Sequence, residues 1–180
     1  MVINGYKAFH KGMKNRFDIE YKEHHVYTVD GPLTFGNTGN GIHFCKRLED
    51  TLRYVPAMEE EVDIAKVTSL GEVVERDDEY NGYYDMYSAR KLLIDRKLER
   101  DEIIEIFLNM PSHRVERFVQ LFMLTENEIE LFKTRYVNDK EVLNAIAYYQ
   151  EGDTGIYERQ YNKQYTKTLI MRDNIHDWNN

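Results

Sequence analysis

His43, Phe44 and Cys45 place an imidazole and the chain's only thiol two positions apart. In a strand, residues 43 and 45 point to the same face, so a shared metal ion or a Cys–His nucleophile pair is geometrically conceivable. Zinc needs three or four ligands, and His10, His24, His25, His113 and His176 stand in no recognised ligand spacing. A catalytic thiol also needs a base and an orienting residue, and neither can be placed from the sequence. A single cysteine in an apolar strand reads instead as a small core residue, and no metal is expected.

A second set of side chains could act by contact. Asp77, Asp78, Glu79 and Asp85 are interleaved with Tyr80, Tyr83 and Tyr84 in a polar stretch containing a glycine. Carboxylates mixed with tyrosines suit an interface, because the tyrosine ring offers apolar area and a polar tip. The run from Met58 to Asp63 adds further acid.

The net charge of −8, from 32 acidic and 24 basic residues, repels a bare nucleic-acid backbone and argues against a general DNA or RNA binder. It permits docking onto a basic groove of a partner. One cysteine cannot form an internal disulfide, and no run of about 20 apolar residues spans a membrane. With no apolar leader at the start, the expected location is the cytoplasm.

The elements that must position these groups follow from pattern. Residues 1–98 read as an α+β domain, a small mixed or antiparallel sheet with one or two helices. Tyr6–Phe9, His24–Val29 and Ile42–Phe44 alternate as strands, and a glycine- and asparagine-rich loop, Phe35–Gly41, leads into the third. Arg47–Val55 carries Leu48, Leu52 and Val55 at helical spacing. Val62–Val74 reads as a strand bent at Gly71, and Met86–Ile94 as one last strand. From 99 to 150 the period becomes 3.6, and four short helices are expected as a C-terminal bundle. Ser112 is the expected cap of the second. Thr125 and Asn138 are the expected caps of the third and fourth, with Leu124–Ile129 and Val137–Val142 as hydrophobic staples. Residues 151–180 read as a polar tail.

The pieces "GYKAF" (Gly5–Phe9), "GIHFC" (Gly41–Cys45) with "LEDTLRYV", and "AKVTSLGEV" (Ala65–Val73) resemble, in this order, an uncharacterised family of small bacterial and phage proteins over roughly residues 4–95. More distantly, the layout is similar to small ADP-ribosyltransferases of the rifampin-modifying type. That likeness implies an NAD cleft between the strands at Tyr6–Phe9 and Gly41–Cys45, with Lys7 where the superfamily uses histidine or arginine. Glu72, with Glu75 as another candidate by order, would stand for the late carboxylate.

Two functional expectations follow. The first is a cofactor-free binding protein of a phage or mobile element that occupies a host protein or nucleoprotein complex with a basic groove, as an anti-CRISPR inhibitor does. The second is an NAD-dependent transferase using Lys7 and Glu72.

Overall fold

The computed structural model describes residues 2–35, 39–55, 58, 61–76 and 86–152. Among these, seven strands form one antiparallel sheet: β1 (Asn4–His10), β2 (His25–Thr28), β3 (Ile42–Cys45), β4 (Val62–Ser69), β5 (Val73–Glu75), β6 (Met86–Ala89) and β7 (Lys91–Lys97), in the order β2-β7-β4-β1-β3-β6-β5. The chain is α+β, with most helices after the strands. Helix α1 (Leu48–Thr51) runs into a 3₁₀ turn at Leu52–Tyr54, and α2 (Arg100–Leu108), α3 (Ser112–Leu121), α4 (Glu126–Arg135) and α5 (Lys140–Tyr149) follow.

The chain divides into two compact units, Met1–Met123 and Leu124–Asn180. The first holds the sheet with α1, α2 and α3. Its core on one sheet face includes Phe9, Phe44, Val67, Tyr87 and Leu92. Packing of α2 on α3 brings Phe107 and Phe118 into a parallel stack, with ring centroids 3.8 Å apart. In the second unit α4 packs with α5, and Ile129, Phe132, Val142 and Ile146 are buried.

Local chemistry explains several departures from the expected elements. Met86–Ile94 is not one strand: Arg90 interrupts it, so that β6 pairs with β3 and β5 whereas β7 pairs with β4 and β2. The same division occurs at Gly71, whose φ of +94° takes the chain from β4 into β5. Helix α3 starts at Ser112, with Pro111 in the capping position and no side-chain cap, as suits the locked φ of proline at a helix entrance. Thr125 does cap α4 with a complete box, Thr125 Oγ1 accepting from the Glu128 amide at 3.3 Å and Glu128 Oε2 accepting from the Thr125 amide at 2.7 Å. For α5 the cap is Asp139 rather than Asn138: its carboxylate accepts from the amides of Glu141 and Val142. Val137 is 64% exposed and staples nothing to Val142.

Candidate functional site: a cleft where the sheet parts

The two central strands are paired very unequally. β1 registers with β4 over seven residue pairs, from Asn4↔Thr68 to His10↔Val62, but with β3 at the single pair Tyr6↔Cys45. Beyond that pair the second half of β1 and the first half of β3 diverge. A cleft of about 300 Å³ opens along them, lined by Tyr6–His10 and Gly41–Cys45. Such a parting lets backbone groups and side chains of both strands border one cavity, as ligand pockets require.

Lys7 reaches across the gap. Its ammonium donates to the His43 carbonyl at 2.8 Å, so a side-chain donor satisfies a backbone acceptor of the parted ladder. Lys7 and Phe9 share a face by the two-residue period of β1, and Nζ lies 5.4 Å from the Phe9 ring centroid and 6.0 Å from that of Tyr21. Desolvation by these surroundings lowers the Lys7 pKa from 10.5 to about 8, and the Cys45 thiol opposes this only partly.

The loop after β1 forms the other wall. Asn15 Oδ1 accepts from the amides of Phe17 and Ile19, a local side-chain turn that fixes the loop and brings Arg16 and Phe17 to the cleft. The Arg16 guanidinium lies over the Phe17 ring, 4.7 Å from its centroid, and the ring itself is 66% exposed. Tyr21 packs on Phe9 at 5.1 Å and on Tyr27 at 4.4 Å. Lys14 and Arg76 also line the cleft, as do His10, His43 and Tyr54. No aspartate or glutamate among the described residues does so. In a chain of net charge −8 this is a local reversal of sign.

Two glycines of the sequence motifs are there for strand approach. A Cβ on Gly5 would stand 2.3 Å from the Cys45 carbonyl oxygen, which is where β1 and β3 still touch. Gly41, at φ +128°, has no room for a side chain either: a Cβ would lie 1.8 Å from Ser88 Oγ.

His43 and Cys45 have different surroundings. The His43 ring stacks on Phe35 with centroids 5.5 Å apart, and its Nε2 lies 3.2 Å from the Thr34 carbonyl. Burial lowers the His43 pKa. Cys45 is 2% exposed, and no group of three metal-ligating side chains occurs among the described residues.

Of the other residues singled out from the sequence, Lys7 lies in the cleft and Glu72 does not. Glu72 sits between β4 and β5, where its carboxylate accepts from Arg90 Nε at 2.7 Å and Nη2 at 2.5 Å. Glu75 accepts from the Tyr87 hydroxyl at 3.1 Å. The acidic and aromatic stretch Asp77, Asp78, Glu79, Tyr80, Tyr83, Tyr84 and Asp85 lies outside the described residues. Sequence reading missed Lys14, Arg16, Phe17 and Arg76. The signal for three of them was present in "KGMKNRF", a basic and aromatic run in an acidic chain. No helix among the described residues is long and apolar enough to cross a membrane.

A parted antiparallel sheet with a cationic, aromatic cleft defines the class of this unit. Residues 3–106 match the model of a domain of unknown function, DUF7666, and the chain belongs to that family. No curated protein and no solved structure matches it.

Proposed function

We propose that the cleft between β1 and β3 binds a phosphate-bearing small molecule with a planar ring, of the nucleotide class. The observation that supports this is the lining itself: Lys7, Lys14, Arg16 and Arg76 beside Phe17 and Tyr21, with no carboxylate among the described residues. Ammonium and guanidinium groups meet phosphate oxygens through charge-assisted hydrogen bonds, and an exposed aromatic face accepts a base by stacking. At about 300 Å³ the cleft is at the small end for ligand pockets and suits a mononucleotide or one half of a dinucleotide such as NAD.

This reading makes the protein a binder first. ADP-ribosyl transfer needs a carboxylate beside the developing oxocarbenium ion, and Glu72 is held by Arg90 away from the cleft lining. Titration calorimetry of the full chain with ADP, ADP-ribose and NAD tests the proposal. Saturable binding that weakens with salt, and about tenfold with Arg16→Ala (about 1.4 kcal/mol), is expected. Absence of binding by all three at low salt would remove the proposal.

A further inference from the structure

We propose that the Lys7 amine is a nucleophile, and that it condenses with the carbonyl carbon of a phosphate-bearing aldehyde seated in the cleft to form an imine. The inference rests on the nucleotide-class reading for the phosphate half of the ligand, and goes beyond it in assigning covalent chemistry.

Three features of the geometry converge. The amine lies in the cleft wall, and its hydrogen bond goes to a backbone carbonyl, the His43 oxygen at 2.8 Å, instead of to a carboxylate. A carboxylate partner would hold the proton on the amine, whereas a neutral carbonyl acceptor leaves the amine able to lose it. The Phe9 and Tyr21 rings flank the amine, and although their faces attract a cation, the loss of water around Nζ outweighs this and disfavours the ammonium form. Lys14, Arg16 and Arg76 line the same cleft, so that a phosphate attached to the aldehyde would be drawn to the same place. A lysine serving only as a phosphate cation would gain nothing from surroundings that discharge it; its pKa of about 8 leaves roughly a tenth of the amine neutral at pH 7.

The step balances without another reactant. The amine lone pair attacks the carbonyl carbon while the carbonyl oxygen takes a proton from solvent. The carbinolamine then loses its hydroxyl with one further proton as water, leaving a C=N bond to Nζ. The groups around Nζ are the His43 carbonyl, the His43 imidazole and the Cys45 thiol from β3, the last two acting on it electrostatically, Phe9 from its own strand, and Tyr21 from the loop.

The test uses pyridoxal 5′-phosphate as the aldehyde, with borohydride to reduce any imine to a stable amine, followed by peptide mapping. Expected are labelling of Lys7 at least tenfold faster than of Lys11, Lys22 or Lys46, a rate that rises with pH and levels off above about 8, and slower labelling by pyridoxal without its phosphate. Labelling spread evenly over surface lysines would overturn the inference. Lys7→Arg keeps a cation but no nucleophile, so it should lose the label while the fold, by circular dichroism, persists. ADP binding by the wild type with no label on Lys7 would sink the imine and leave the binding reading standing. Preferential labelling of Lys7 without ADP binding would support the imine and remove the nucleotide reading.

Discussion

Arg114 on α3 grips Glu49 on α1 with two parallel hydrogen bonds, Nε to Oε1 at 2.5 Å and Nη2 to Oε2 at 2.7 Å, and Glu49 is only 2% exposed. Next to it Arg117 Nη2 lies 2.9 Å from Asp50 Oδ1, itself 1% exposed. Two adjacent carboxylates on a one-turn helix are thus neutralised by two arginines three residues apart on a longer one. Burial raises the Asp50 pKa, opposed by Arg117. Helix α1 follows β3 directly, so these pairs anchor the element that ends one wall of the cleft.

Glu49→Ala should therefore cost about 2–4 kcal/mol, because it leaves a largely buried guanidinium without its acceptor. Combining it with Arg114→Met should recover part of the loss. Urea denaturation midpoints of the two single variants and the double variant measure this, and additive losses would show the pair to be uncoupled.

Stability should depend on Lys7 at alkaline pH. Its folded pKa of about 8 lies below the ordinary 10.5, so between these values the unfolded chain binds more protons than the folded one. Stability then rises with pH across that window, and below about pH 8 the buried charge is a constant penalty. Lys7→Met should remove this slope, on the order of 1–2 kcal/mol between pH 8 and 10. Denaturation curves of both proteins at several pH values give the difference; identical slopes would contradict a depressed pKa.

Gly5→Ala should destabilise by about 3 kcal/mol, since its Cβ meets a backbone oxygen at 2.3 Å and the strands must separate at their one registered pair. Gly12→Ala offers a control, because nothing lies within 4 Å of its Cβ position and only its φ of +78° is strained. Equal thermal midpoints for the two variants would mean that β1 and β3 separate freely.

Thr125→Ala should cost about 1 kcal/mol by removing the acceptor for the Glu128 amide, and Thr125→Ser should cost less. Chemical denaturation decides between them, with no loss in the alanine variant counting against the cap.

Cys45, at 2% exposure, should react with a maleimide only on the time scale of opening, much more slowly than in unfolded chain. Cys45→Ser should lower stability by about 1–2 kcal/mol and leave ligand binding intact. Rapid native-state labelling would contradict the burial of the thiol.

Local pattern carried most elements of this protein. The alternation in Tyr6–Phe9 and Ile42–Phe44, the helical spacing of Leu48 and Leu52, and the Thr125–Glu128 capping box are short-range relations, and each element they specify forms. Capping by Asp139 instead of Asn138 is a matter of one residue, settled by which side-chain oxygen reaches the first amides of the helix. Sequence also placed Lys7 as a candidate and Cys45 as a core residue. The cleft was not legible there, because it depends on how unequally two strands distant in sequence pair: β1 takes seven partners from β4 and one from β3. The break at Arg90 belongs to the same kind of relation, since only the sheet order shows that β6 and β7 serve different neighbours. Charge composition described the whole surface and concealed its local reversal. Net charge is a sum over residues, whereas the field in a cleft depends on which of them the fold brings together: Lys7, Lys14, Arg16 and Arg76, drawn from strand, loop and strand end, line one cleft only because the chain closes around the parting of its sheet.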